Sequence, residues 1–78
     1  MTRGIFNWTA EDVVRFLKTY NFLHTHTRGS HMFYVGHYNG VQHQVCIPFH
    51  ASRSLDPRVF KSIIRQSGIS KKEWIGED

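Results

Sequence analysis

The sequence predicts an α+β fold, a helix followed by a three-stranded antiparallel sheet and a second helix. Apolar residues recur at helical spacing in two segments, one near each end of the chain. Between them, from Phe22 to Pro48, threonine, aromatic and β-branched residues dominate, the composition of pleated strands. Two turn signals, Arg28-Gly29-Ser30 and Asn39-Gly40, cut that stretch into three.

The first helix is read from "TAEDVVRFLKTYNF". Val13, Val14, Phe16, Leu17 and Tyr20 recur at its period, while Glu11, Asp12, Arg15 and Lys18 fall elsewhere, as in a helix with one buried stripe. Thr9 is the expected N-cap. Asp12, three residues on, completes a capping box and suits the positive end of the helix dipole. Asn21 tolerates the left-handed conformation that closes a helix.

The strands are expected at about 22–28, 31–38 and 41–47. Asn39-Gly40 is the strongest short hairpin signal, because both central residues of such a turn need positive φ. Val41, Val45 and Ile47 alternate with Gln42, Gln44 and Cys46, the pattern of a strand with one covered face. Pro48 lacks the N–H that a ladder uses, so the third strand should stop before it. In "SLDPRVFKSIIRQSG", Asp56 is the N-cap, Pro57 stands at the first helical position and Gly68 closes the helix. Val59, Phe60, Ile63 and Ile64 form its apolar face, with Arg58, Lys61 and Arg65 largely off it. Ser70-Lys71-Lys72-Glu73 reads as a second capping box, opening a short turn that carries Trp74. One sheet with two amphipathic helices should place both helices on one face and leave the other open. That is the α-β-β-β-α plan of double-stranded-RNA-binding domains, and residues 1–78 are expected to form one domain of that kind.

Seventy-eight residues hold ten Lys or Arg against six Asp or Glu, a formal charge of +4. A small basic domain is drawn to polyanions, of which nucleic acid is the commonest in a cell. The single cysteine, Cys46, rules out an internal disulfide framework and suits a reducing cytoplasm. No apolar run approaches the roughly 18 residues that span a bilayer, and Met1-Thr2-Arg3-Gly4 does not lead into a signal peptide. A soluble cytoplasmic protein with no membrane partner is expected.

Several chemistries fail on residue type. Six histidines suggest a metal, with His24 and His26 expected on one strand face and His37 and His43 flanking the hairpin turn. Structural zinc, however, usually takes four ligands, often with paired cysteines, so no metal or other cofactor is expected. Ser30 adjoins His31, but no strand-to-helix elbow frames it and no carboxylate stands at a triad-like spacing. Cys46 sits between Val45 and Ile47 as a half-buried strand residue. What remains is histidine beside phosphate. RNA carries its own nucleophile in the 2′-hydroxyl, so cleavage needs proton transfer and cations around the phosphate. Histidine, with a pKa near ~6.5, is matched to proton transfer at neutral pH.

The strings "RGSHMFYV", "VCIPFH" and "FKSIIRQSGIS", in this order behind "DVVRFLKTYNF", resemble the HicA toxin family of bacterial and archaeal toxin–antitoxin systems, over about residues 9–74. The Arg-Gly-Ser-His-Met string is also what a cleaved affinity tag leaves, but such a scar lies at a terminus, not after a complete helix and strand. The resemblance implies a double-stranded-RNA-binding-like fold acting as an mRNA interferase that does not require the ribosome. It also implies a HicB-type antitoxin partner that covers the active site. The catalytic histidine it implies is His31, presented by a turn at Gly29 and Ser30. Pro48 and His50 match a Pro-x-His motif of structural or substrate-positioning role. The chain departs from the family at Asn21, at Phe49 (where a basic residue is usual) and at Arg58-Val59 (where Gly-Thr is frequent).

On this reading RNA, in single-stranded or looped form, is the substrate. Arg28, Arg53, Lys61 and Arg65 are candidate phosphate contacts, and His50, His37 or Ser30 is a candidate second proton-transfer group. Tyr34 or Tyr38 would either stack a base or pack inside. A His31 turned inward would be a packing residue. Two rivals are a non-catalytic RNA-binding module of the same fold and a protein-interaction domain that uses the open sheet.

Overall fold

The computed structural model describes residues 4–49 and 53–76. Helix α1 spans Ala10–Thr19, and strands β1 (Leu23–Arg28), β2 (His31–Tyr38) and β3 (Val41–Pro48) follow. Helix α2 runs Pro57–Ser67 and a short α3 Lys71–Ile75. The strands pair antiparallel in the order β1-β2-β3. The α+β plan expected from the sequence is the plan observed.

Local chemistry sets each boundary. The Thr9 hydroxyl accepts the Asp12 N–H at 3.2 Å, and the Asp12 carboxylate accepts the Thr9 N–H at 3.0 Å, closing the predicted capping box. At the other end Asn21 takes a φ of 66°. The Phe22 N–H then reaches the Leu17 carbonyl and the Asn21 N–H the Lys18 carbonyl, the paired closure of a Schellman motif. Phe22 is thus fixed as the first residue off the helix. It is fully buried, so β1 starts at Leu23, one residue later than expected.

Phe22 packs on Gly36 in the middle of β2. A Cβ there would stand 2.5 Å from the Phe22 ring, so only glycine admits it, as is common for a glycine inside a strand. Tyr34, Val45 and Ile47 share this helix-side face, with Phe60, Ile63, Leu17 and Val13 packed above it. Each such aliphatic or aromatic side chain contributes roughly 1.5–3 kcal/mol by leaving water. Val41, predicted on the covered face, is 54% exposed because it lies at the hairpin end beyond the helices.

Aromatic rings fill the space between the helices. Trp8 stacks on Phe60 with centroids 4.7 Å apart, and Phe16 on Trp74 at 3.9 Å. The segments leading into α1 and α2 bridge at Thr9 and Ser54, with the Leu55 N–H on the Trp8 carbonyl. Ser67, fully buried, ties α2 to α3: its hydroxyl donates to the Ile64 carbonyl and accepts from the Ile69 N–H and the Trp74 indole N–H.

Two sequence expectations about boundaries are corrected. Ser70 does cap α3, but its side chain makes no capping bond. The Glu73 carboxylate is engaged elsewhere, accepting the Tyr20 hydroxyl at 2.7 Å. Strand β3 also includes Pro48, which pairs with His31. The next ladder bond runs from the Phe49 N–H to the Ser30 carbonyl at 2.7 Å. That makes His31–Pro48 a non-hydrogen-bonded pair, so the missing N–H of Pro48 points off the sheet edge and costs the ladder nothing.

Candidate active site

His31 stands at the head of β2, and the strand's pleat decides where it points. Met32, Tyr34, Gly36 and Tyr38 turn toward the helices. His31, Phe33, Val35 and His37 therefore turn to the opposite face. His31 is exposed, not packed inward.

The turn that delivers it is tight. Arg28 pairs with His31, leaving Gly29 and Ser30 as a two-residue loop. Gly29 takes a φ of 59° while Ser30 stays at negative φ, the pattern of a hairpin turn with glycine in its first central position. The Phe49 N–H on the Ser30 carbonyl anchors this loop from the third strand. Arg28, exposed, lies across from His31 on the same open face.

The first strand holds a feature that residue type did not signal. His24 pairs with Tyr34 and His26 with Phe33, so two steps on β1 oppose one on β2. Thr25 is the extra residue of a β-bulge. The expectation that His24 and His26 share a face is therefore wrong: a bulge inserts one residue and reverses the alternation beyond it. His24 falls on the helix side, edge-on to Tyr34, with its Nε2 2.8 Å from the Thr27 hydroxyl. His26 falls on the open side and stacks on Phe33, centroids 4.4 Å apart and planes 6° apart. Below the bulge the register is regular, which places His26, Arg28, His31 and Phe33 in one patch.

The other predicted residues scatter. His37 shares the open face but lies six residues along β2 from His31, about 20 Å at strand rise. Lys61 and Arg65 are exposed on α2, which packs on the opposite face of the sheet. Arg53 is exposed in the segment ahead of α2. His50 lies outside the described residues. Tyr34, 5% exposed, and Tyr38, packed beside Tyr20, serve the helix layer rather than the open face. Burial pushes the Tyr34 hydroxyl up from its ordinary pKa.

Two further places bear on anion or ligand binding. At the start of α2, the Asp56 carboxylate accepts the Arg58 N–H at 2.8 Å and the Arg58 guanidinium at 3.1 and 3.3 Å. Those bonds hold the Asp56 carboxyl below its usual range and fill the helix N-terminus with the chain's own anion. A groove of about 360 Å³ lies on the helix side, lined by Glu11, Val14, Arg15, Lys18, Met32, Tyr34 and Phe49. Among the described residues, no three His, Cys, Asp or Glu side chains converge as a metal site requires.

The model of the family described as the HicA toxin of bacterial toxin–antitoxin systems matches residues 10–69, well over half of the chain. The chain belongs to the HicA toxin family. The match runs from the first residue of α1 to just past α2 and so contains the whole sheet, the Gly29–Ser30 turn and His31. No curated protein and no solved structure matches the chain significantly. HicA membership makes this a toxin-type chain and implies an antitoxin partner. No described helix is long and apolar enough to cross a membrane.

Proposed function

We propose that this HicA-family chain is a metal-independent endoribonuclease, an mRNA interferase acting in the cytoplasm, with His31 as its catalytic residue. The observation that carries the reading is the exposure of His31 beside Arg28, on the sheet face opposite the described helices. A single-stranded or looped RNA can lie across that face and bring its backbone to the turn. The 2′-hydroxyl is the nucleophile, His31 transfers a proton at the scissile phosphate, and Arg28 holds the phosphate charge. Proton transfer by a positioned histidine contributes typically ~10²–10⁴-fold. Gly29 and Ser30 fix the turn, and Ser30 does so through its carbonyl bond from Phe49.

Arg53 is a candidate contact for RNA running past the turn, and His50 a candidate for substrate positioning. Lys61 and Arg65 belong to the helix layer, so they would meet only RNA that wraps around the sheet. A HicB-type antitoxin would restrain the toxin by covering the open face around His31. The decisive experiment incubates native protein and His31→Ala with unstructured and structured RNA in EDTA. Metal-independent cleavage by the native protein alone is expected. No cleavage by either, or equal cleavage by both, defeats the reading; salt-sensitive binding without scission would instead make the chain a non-catalytic RNA-binding module.

A further inference from the structure

Cleavage through the 2′-hydroxyl needs a proton taken from one oxygen and a proton given to another, and His31 alone supplies one group. We infer that His26 is the second catalytic residue, the general base that partners His31; this rests on the ribonuclease reading above. The bulge at Thr25 carries His26 onto the open face, and bulges beside active sites commonly re-aim a side chain in this way. With pairs His26–Phe33 and Arg28–His31 in regular register, His26 and His31 are diagonal cross-strand neighbours. Diagonal neighbours lie on the order of 7–8 Å apart, close enough for two imidazoles to flank one phosphate. Arg28 sits between them as the phosphate cation.

The bulge residue also orients the ring. The Thr25 hydroxyl donates its only proton to the Phe33 carbonyl at 3.2 Å. Its oxygen is 3.1 Å from His26 Nδ1, and with the hydroxyl proton on Phe33 that oxygen is an acceptor for the tautomer that carries its hydrogen on Nδ1. Nε2 is then the nitrogen that gains or loses a proton. The Phe33 ring, stacked flat on the imidazole, holds its plane. A histidine whose Nδ1 is engaged and whose plane is held by a stacked ring is prepared for proton transfer in a way a free surface imidazole is not.

His26 Nε2 takes the proton of the 2′-hydroxyl as its oxygen bonds to phosphorus. The bond from phosphorus to the 5′-oxygen breaks, and protonated His31 gives its proton to that oxygen. The products are a 2′,3′-cyclic phosphate and a free 5′-hydroxyl, with His26 left protonated and His31 neutral. The titratable and charged groups facing His26 on the open face are Arg28 on its own strand, His31 on β2 and Cys46 on β3.

The test compares native protein, His26→Phe and His31→Ala on a single-stranded RNA oligonucleotide in EDTA. His26→Phe keeps a ring on Phe33 but cannot move a proton, and its melting temperature verifies folding. It should cleave ~10²–10⁴-fold more slowly, and its pH–rate profile should lose the acidic limb set by protonation of the base. On an oligonucleotide whose bridging 5′-oxygen is sulfur, the leaving group needs no proton, so His31→Ala should recover and His26→Phe should not. Native-like cleavage by His26→Phe, a slow variant with an unchanged pH profile, or rescue of His26→Phe by the sulfur substrate would each overturn the assignment. If His31→Ala is inactive while His26→Phe matches native, only the second histidine fails; if native protein leaves RNA intact, the ribonuclease reading fails with it.

Discussion

On the helix side of the sheet Val45 and Ile47 are fully buried and Tyr34 nearly so, whereas on the other side His26, Arg28, His31 and His37 all meet solvent. The same three strands build both faces. The helix side carries the packing that fixes strand position, and its side chains are constrained by volume. The open side inherits that fixed frame without contributing much to it, so its residues are free to be chosen for chemistry. Substitutions should therefore separate by face: those on the helix side should change stability and those on the open side activity. The largest test of the contrast is His31→Ala. Cleavage should fall by ~10²–10⁴-fold, while unfolding free energy stays within about 0.5 kcal/mol, as for an exposed residue outside any network. A comparable loss of stability measured by denaturant titration would mean that the two faces are not independent.

The reverse experiment is Gly36→Ala. The new methyl would stand 2.5 Å from the ring of fully buried Phe22. That ring has no free end to swing, so the cost should fall near the top of the roughly 1–3 kcal/mol typical of overpacking. A drop in melting temperature on the order of 4–8 °C per kcal/mol follows for a domain this small. Cleavage per folded molecule should be unchanged. A melting temperature equal to native would show that Phe22 is not held against β2. Ser67→Ala should come next, at about 2 kcal/mol, because it strands two buried donors, the Ile69 N–H and the Trp74 indole N–H. Thermal melts of Ser67→Ala beside Ser67→Cys, which keeps a weak donor and acceptor, would check that hydrogen bonding rather than volume is responsible.

These residues also show what a sequence discloses. Helix stripes, the Asn39-Gly40 turn and the caps at Thr9, Asn21 and Asp56 are local codes, and local geometry reads them back as written. Gly36 and Ser67 carry no local signal, because their roles lie in contacts with Phe22 and Trp74 from other elements. The bulge was hidden for a related reason. In "LHTHTR" simple alternation puts both histidines on one face, and only the pairing with β2 shows that Thr25 is skipped. The exposed His31 was legible because a glycine turn and a strand start fix its place; His26 beside it was not.

The two apparent capping boxes give a finer contrast. In Thr9→Ala the Asp12 N–H loses its acceptor at the start of α1, and a cost of about 1 kcal/mol is expected. In Ser70→Ala no side-chain bond is lost, so the change should stay within about 0.5 kcal/mol. Paired urea titrations measure the difference directly. Equal losses would show that a Ser-x-x-Glu pattern stabilises even where Glu73 is engaged elsewhere.

That engagement supplies a further effect, one that depends on pH. The Tyr20 hydroxyl donates to Glu73, and this bond, with burial second, pushes its pKa from 10.0 up to about 12. A group whose folded pKa is raised contributes fully below its unfolded value and loses that contribution as pH climbs through the folded one. The stabilisation should therefore be intact below pH 10 and fade toward pH 12, where the phenolate has no proton to donate and repels Glu73. The bond is exposed, so Tyr20→Phe should cost under about 1 kcal/mol at neutral pH. The difference in stability between native protein and Tyr20→Phe, measured by denaturant at intervals from pH 8 to 12, should shrink across the upper half of that range. Taking the difference removes the alkaline effects that the two proteins share. A gap that stays constant to pH 12 would assign the Tyr20 contribution to its ring packing on Phe16 and Tyr38 rather than to the hydroxyl. Either way, Tyr20 lies in the helix layer, so cleavage at His31 should not follow the change.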